Sequence, residues 1–177
     1  MAHTLTVMHP VAALEGAGIE TEIAPRPTTL DGLRVGLIWN RKRGGDAILE
    51  QVGTMLTNRF SDVKLNIYQG SIPTPSDMLD QAAEECDVVV GSSSDWGQCT
   101  SWLVHDMIYL ERKGVPTVSV ASAGFEKDTV ASARAFGMPR APFAVVPDVI
   151  TSVPPERSKA SIAERIDVRS EERRVGK

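Results

Sequence analysis

The sequence has few of the residues that build metal or disulfide sites. Its two cysteines, Cys86 and Cys99, are too few for a disulfide framework. Its three histidines, His3, His9 and His105, form no zinc-type spacing with them, and neither CxxC nor HExxH occurs. We therefore predict free thiols, no metal site and no cofactor.

The chain also lacks long apolar runs and an excess of positive charge. No stretch approaches the ~20 apolar residues of a membrane-spanning helix, and the opening MAHTLTVMHP has neither the charged nor the hydrophobic region of a signal peptide. With 19 Lys and Arg against 23 Asp and Glu, the net charge is −4, which disfavours a nucleic-acid partner. These absences predict a cytoplasmic protein that acts on a small molecule, with neither a membrane nor a nucleic acid as partner.

The 177 residues suit a single domain between two unusual ends. Residues 1–31 contain glycines and prolines with little periodicity, and are either an arm that covers a neighbouring surface or a disordered tail. Residues 169–177, RSEERRVGK, read as a translated sequencing adapter and are predicted to be a non-native tail. Residues 32–168 are the predicted domain.

Within this domain, short β-branched runs alternate with helical patterns, as in βαβ units. The predicted strands are 34–40, 63–68, 87–91, 116–121 and 143–147. The predicted helices are 46–58, 76–85, 101–113, 127–136 and one that begins at 158. We predict the α/β class, with a three-layer, doubly wound, mostly parallel five-stranded sheet of flavodoxin-like order 2-1-3-4-5 and the second strand at an edge.

Ligands of such sheets bind beyond the carboxyl ends of the strands, at the switch point between the first and third. The segment after the first strand, Asn40 to Asp46, carries three cations and two glycines and leads into a helix. It is neither a Walker loop nor a GxGxxG motif. It is either a binding site for a phosphate or carboxylate, or a solvated basic turn.

The segment from Gly91 to His105, GSSSDWGQCTSWLVH, follows the third strand and is the predicted functional centre. Its connection to the helix at Ser101 is longer than the usual two to six residues, which favours a functional role. Cys99 lies just before that helix, whose N-terminus stabilises a thiolate. We predict Cys99 as nucleophile or acid/base and His105, one turn into the helix, as its proton partner. The alternatives are a buried filler for Cys99 and a helix-surface residue for His105.

The same segment carries the remaining candidates. Asp95 either orients His105 or caps a turn, and Trp96 and Trp102 either form a stacking wall for a ligand or pack on the sheet. Cys86 is predicted to be a core residue. The predicted catalytic residues are Cys99, His105 and Asp95, and the predicted substrate-binding residues are Asn40, Arg41, Ser92, Ser93, Ser94, Trp96, Gly97, Gln98, Thr100, Ser101, Trp102 and Ser122.

The stretch from Arg34 to Asp148 resembles the bacterial family of UGSC-type selenoproteins and their cysteine homologues. The resemblance rests on RVGLIWN, AAEECDVVVG, QCTSWLVHD, LERKGVPTV and ARAFGMP. It implies a motif of selenocysteine or cysteine, Gly, Ser and Cys where this chain has Trp96, Gly97, Gln98 and Cys99. Since one chalcogen position is tryptophan, dithiol redox chemistry within the motif is not expected unless another subunit supplies the second atom.

The family is distantly similar to the selenoprotein component of glycine and betaine reductases, and that likeness implies small polar substrates. The leading hypothesis is a cysteine-dependent lyase, hydrolase or reductase component acting on a small polar or carboxylate-bearing metabolite, with Asn40 and Arg41 at the anionic end. One alternative is a non-catalytic subunit that pairs with a cysteine-complete paralogue, and a homodimer or such a heteromer is expected. Another is a flavodoxin-like flavin binder.

Overall fold

Five parallel strands form the central sheet of the computed structural model, which describes residues 20–175 and, within the last helix, side chains as far as Arg165. The strands are β1 (Arg34–Trp39), β2 (Lys64–Gln69), β3 (Val88–Ser94), β4 (Thr117–Ser122) and β5 (Phe143–Val146). The helices are α1 (Gly45–Arg59), α2 (Ser76–Glu85), α3 (Gly97–Arg112), α4 (Glu126–Ala135) and α5 (Pro155–Val175), with 3₁₀ turns at Ala123–Phe125 and Ile150–Ser152. The strand order is β2-β1-β3-β4-β5, which confirms the predicted α/β doubly wound sheet.

The apolar side chains of the strands divide between two cores, one on each face of the sheet. Leu37 of β1 packs with Ile48 of α1 and Ile162 of α5, whereas its neighbour Ile38 packs with Leu103 of α3 on the other face. This division follows from the two-residue period of a strand. Because both faces are covered, β1 carries a nearly continuous apolar run.

Helix α3 lies close against β3 because Gly91 has no side chain. A Cβ at Gly91 would come within 2.8 Å of Leu103 and 2.9 Å of Met107, closer than real Cβ contacts. The close approach places the start of α3 directly beside the carboxyl end of β3. The segment from Gly91 to His105 is therefore held by core packing on its helical side.

The predicted long loop between β3 and α3 is wrong. Strand β3 continues through the three serines to Ser94, with a register irregularity between Ser92 and Ser94, and α3 begins at Gly97 rather than at Ser101. Only Asp95 and Trp96 connect the two elements. Serine is common in turns, which favours a loop here, but a neighbouring parallel strand on each side supplies the backbone partners that extend β3.

Two features of the edges bear on the predictions. Strand β2 lies at one edge of the sheet, as predicted, and Ile67 on it is 71% exposed. Helix α5 begins at Pro155, three residues earlier than predicted, and continues to Val175, so the helix extends into the segment predicted to be a non-native tail. None of the helices in the described part of the chain is long and apolar enough to cross a membrane.

The predicted N-terminal arm is described from residue 20 onward, and its earlier residues lie outside the described part. The backbone N–H of Thr21 donates to the carbonyl of Gly137 at 2.8 Å. Ala24 and Arg26 both donate to the carboxylate of Glu111 on α3. Residues 20–26 therefore pack against their own chain.

Candidate functional site

The carboxyl ends of β1, β3 and β4 meet the N-termini of α1 and α3 at one rim of the sheet. Asn40 follows β1, Ser92–Asp95 end and follow β3, and Ser122 ends β4. The backbone N–H of Asn40 donates to the carbonyl of Ser92 at 3.0 Å, which joins the first two of these ends. This is the predicted switch point, and most of the predicted site residues lie at it.

Four hydroxyl groups at this rim are buried and have no hydrogen-bond partner in the described structure. They are the side chains of Ser92, Ser93, Ser94 and Thr100, each with 0% exposure. A buried hydroxyl without a partner costs on the order of 1–3 kcal/mol, and such groups are uncommon in folded proteins. Each of the four is therefore a candidate hydrogen-bond donor to a bound ligand or to an ordered water.

The side chain of Asn40 holds the backbone of β3 in place. Its Nδ2 donates to the carbonyl of Ser93 at 2.9 Å, and its Oδ1 accepts the N–H of Ser93 at 3.1 Å and that of Lys42 at 3.3 Å. Both polar atoms of the Asn40 side chain, Nδ2 and Oδ1, are thus hydrogen-bonded to the backbone. Its position supports a structural role at the site rather than the predicted direct contact with an anionic ligand.

Asp95 anchors the turn at Ile150–Ser152. Its carboxylate, 1% exposed, accepts hydrogen bonds from the hydroxyl of Ser122 and from the backbone N–H groups of Ile150 at 3.2 Å and Thr151 at 2.7 Å. These bonds match the capping alternative, and both carboxylate oxygens are engaged. Ser122, predicted to bind substrate, is held by the same carboxylate.

Cys99 is the third residue of α3 instead of lying before the helix, which corrects its predicted position. It remains in the first turn, and no side chain caps that turn, so the unpaired N–H groups of the helix start lie beside it. The thiol side chain is only 4% exposed. Both it and Leu103, one turn later, are buried.

His105 does not share a helix face with Cys99. Six residues separate them, which corresponds to about 9 Å along the helix axis and about 240° around it. The imidazole lies edge-on to Trp102 and Phe136, with ring centroids 5.3 and 5.4 Å away, and its Nδ1 is 3.3 Å from a carboxylate oxygen of Asp106. The predicted position one turn into the helix is therefore wrong, because α3 begins four residues earlier.

The two tryptophans of the segment have different neighbours. Trp96 is 61% exposed, and its indole N–H donates to the hydroxyl of Thr151 at 3.4 Å. Trp102 is half-buried and contacts His105. Within residues 20–165 the two rings make no aromatic contact with each other, and stacking of a ligand on them stays a prediction.

The remaining predicted binding residues divide between the rim and its surroundings. Gly97 and Gln98 are exposed in the first turn of α3. The hydroxyl of Ser101 lies 3.0 Å from that of Ser132 on α4, away from the serines of β3. Arg41 is exposed and adopts a left-handed backbone conformation with φ 62°.

Two residues of the site were missed by the sequence analysis. Ser158 in α5 is fully buried with an unpaired hydroxyl and lies against Gly44. Trp39 donates its indole N–H to the carbonyl of Lys42 at 2.8 Å and so supports the turn before α1. Ser158 had no local signal, since only the packing of α5 on α1 brings it to the rim.

Cys86 lies in the core, as predicted. It is 3% exposed, and its sulfur is 3.4 Å from the hydroxyl of Tyr68. Burial, together with hydrogen bonds to Cys86 and Glu85, raises the pKa of Tyr68 far above its usual value. Within the described residues, no group of three or more His, Cys, Asp or Glu side chains is arranged to hold a metal ion.

Comparison with known proteins identifies the family. The model of the UGSC family matches residues 4–171, nearly the whole chain. The chain belongs to the UGSC family. No curated protein matches it. In this UGSC-family protein, Trp96 occupies the N-cap of α3 and Cys99 the third helical position, so the two positions singled out by the resemblance bracket the first turn of one helix.

Proposed function

We propose that this UGSC-family protein is a cysteine-dependent enzyme that acts on a small carboxylate-bearing metabolite. The observation that carries the proposal is the cluster of buried, unpaired hydroxyls at the carboxyl end of β3 and the start of α3. Ser93, Ser94 and Thr100 would donate hydrogen bonds to the substrate carboxylate. Cys99, next to Thr100, would act on the adjacent carbon as nucleophile or as acid/base.

Electrostatics support an anionic substrate at this position. The first-turn N–H groups of α3 carry a partial positive charge of roughly half a unit, and neither a side-chain cap nor an acidic first-turn residue neutralises it. Hydroxyl donors preorganised in a buried site cost no reorganisation when an oxyanion binds. His105 is not part of the proposed mechanism, because it faces away from Cys99.

Two alkylating reagents with the same reactive group test the proposal. Iodoacetate carries a carboxylate, and iodoacetamide carries a neutral amide in its place. We expect iodoacetate to alkylate Cys99 about tenfold faster than iodoacetamide, which is the effect of roughly 1.4 kcal/mol of additional hydrogen bonding. Fragment-resolved mass spectrometry separates Cys99 from Cys86, and the buried Cys86 serves as an internal reference.

A matched pair of variants assigns the preference to the site. Thr100→Val removes one unpaired hydroxyl at nearly constant shape and should reduce the preference for iodoacetate. Thr57→Val removes a hydroxyl that only bonds its own helix backbone and should leave the preference unchanged. Equal or faster reaction of Cys99 with iodoacetamide in the wild type would contradict carboxylate recognition.

The burial of Cys99 favours a second candidate function, a non-catalytic binding subunit that pairs with a cysteine-complete paralogue. Such a subunit would retain the hydroxyl cluster for ligand binding, with Cys99 as a buried filler. In that case Cys99 would react no faster than Cys86 with either reagent. Alkylation of Cys99 well ahead of Cys86 would argue against this candidate.

A further inference from the structure

The start of α1 lies between two buried hydroxyl groups that have no partner. A Cβ on Gly45 would lie 3.3 Å from the Oγ of Ser92, and a Cβ on Gly44 would lie 3.2 Å from the Oγ of Ser158. Both serines are 0% exposed, and neither hydroxyl has a hydrogen-bond partner in the described structure. Ser92 comes from β3 and Ser158 from α5, so three separate elements converge on this glycine pair.

The backbone at this point presents further donors. Helix α1 has 15 residues and no side-chain cap, and its N-cap, Gly44, adopts φ 80°. The N–H of Gly45 donates to the carbonyl of Lys42 at 3.1 Å. The next two N–H groups, of Asp46 and Ala47, belong to the first turn, where no intrahelical acceptor is available. They add to the positive end of the helix dipole.

The turn that leads into α1 is strongly basic. Arg41, Lys42 and Arg43 precede the glycines, and none of them forms an ion pair with a described carboxylate. The one acidic residue of the first turn is Asp46, which leaves a local excess of two positive charges. Such an excess suits a doubly charged anion better than a singly charged one.

We propose that this end of the cleft is a phosphate subsite, and that the substrate of the enzyme proposed above carries a phosphate group in addition to its carboxylate. A phosphate group has three terminal oxygens, enough to accept from the two serine hydroxyls and the two free N–H groups, and its charge matches the basic turn. Only glycine fits at both positions, since a Cβ on Gly44 would lie 2.8 Å from the carbonyl oxygen of Ile150 and one on Gly45 would lie 3.1 Å from the ring of Trp39. The inference rests on the proposed function in one respect, that the phosphate belongs to the substrate of that enzyme. Phosphate binding itself does not depend on it, because the donors of the subsite are distinct from Cys99, Thr100 and Ser94.

Isothermal titration calorimetry with inorganic phosphate tests the subsite directly. We expect the wild type to bind phosphate and Ser158→Ala to bind it about tenfold more weakly, because a hydrogen bond to a charged group contributes roughly 1.5 kcal/mol. Ser161→Ala is the matched control: Ser161 is buried three residues later on the same helix, but its hydroxyl donates to Asp148 at 2.8 Å. This control should bind phosphate as the wild type does.

Two further variants test the basic turn and the second hydroxyl of the subsite. Arg43→Gln should weaken phosphate binding and reduce its dependence on salt concentration, and Ser92→Ala repeats the hydroxyl test on a different element should Ser158→Ala fail to fold. Absence of phosphate binding by the wild type at low millimolar concentration, or equal binding by the wild type and both serine variants, would overturn the subsite. Displacement of phosphate by an equal concentration of acetate would show a general carboxylate site instead and would also overturn it.

The phosphate subsite and the proposed role of Cys99 are two hypotheses that can be refuted independently of each other. Cys99→Ser should bind phosphate normally, because Cys99 does not contribute to the subsite. Phosphate binding that survives Cys99→Ser and is weakened by Ser158→Ala supports the subsite, even if Cys99 shows no preference for iodoacetate. A clear iodoacetate preference without phosphate binding would leave the proposed function standing and refute the subsite alone.

Discussion

The carboxylate of Glu111 offers the sharpest test of how the N-terminal segment is held, through the substitution Glu111→Gln. Its side chain is fully buried. One oxygen accepts from Arg26 Nη2 at 2.6 Å and from the backbone and hydroxyl of Thr117, and the other accepts from Arg26 Nη1 and the N–H of Ala24, both at 2.7 Å. Glutamine keeps the size of the side chain but replaces one acceptor oxygen with a donor.

The expected loss of stability follows from this geometry. In either orientation of the glutamine amide, its NH2 group faces at least two donors, and Arg26 loses the charge that balances it. Losing one partner of a fully buried pair costs about 3–5 kcal/mol, and since the Arg26 side chain is 32% exposed we expect about 3 kcal/mol. For a protein of this size that corresponds to a decrease in Tm of roughly 6–12 °C.

The dependence on pH provides an independent check. Burial alone would raise the pKa of Glu111, but hydrogen bonds from Arg26, Ala24 and Thr117 outweigh it and hold the pKa below the ordinary value. Since glutamate in an unfolded chain has a pKa of about 4.3, the stabilisation by Glu111 is complete above that pH and is lost as the pH falls through the lower pKa of the folded state. The difference between wild type and variant should therefore be constant from neutral pH to about 5 and should shrink in acid.

Urea unfolding measured across this pH range tests both the expected loss of stability and its dependence on pH. Glu84→Gln is the matched control, because Glu84 is exposed on α2 and its replacement should change the free energy of unfolding little. A loss below about 1 kcal/mol for Glu111→Gln would refute the reasoning. So would a difference from the wild type that stays constant below the ordinary pKa of glutamate.

Three further predictions concern the rim. His105→Ala should leave the rate of alkylation of Cys99 unchanged within twofold, since the imidazole faces away from the thiol; a large decrease would restore His105 as its proton partner. Asp95→Asn should destabilise the protein by about 2 kcal/mol and accelerate hydrogen exchange at the amide of Thr151, whereas unchanged exchange would contradict the anchoring role of the carboxylate. Gly45→Ala should cost about 1–3 kcal/mol of unfolding free energy, because the added Cβ would lie 3.1 Å from the indole ring of Trp39; undiminished thermal stability would show that the ring can move aside.

The fold was predictable because its signal is local and repeated. Runs such as Arg34–Trp39 and Phe143–Val146 are apolar and β-branched, and each is followed by a helical pattern that covers one face of the sheet. Right-handed crossovers then leave few possible strand orders. The alternation of apolar and polar residues in β2 likewise indicates an edge strand.

The boundaries around Cys99 were not predictable in the same way. Three consecutive serines have no strong strand preference, and α3 begins without a capping side chain at Trp96. Backbone pairing of β3 with β1 and β4, and the close packing of α3 permitted by Gly91, decide where the strand ends and the helix begins. This shift of four residues moved His105 away from Cys99.

The sequence by itself determined the fold class, the strand ends at which the candidate site residues lie, and the presence of one cysteine in the segment from Gly91 to His105, since hydrophobic periodicity and residue identity are local properties. Only the tertiary structure decided which polar groups are satisfied. It showed that Asn40 and Asp95 are occupied by backbone partners, that four rim hydroxyls are not, and that Ser158 joins them from a distant helix. Hydrogen-bond satisfaction depends on contacts between residues far apart in the chain, which no local pattern encodes.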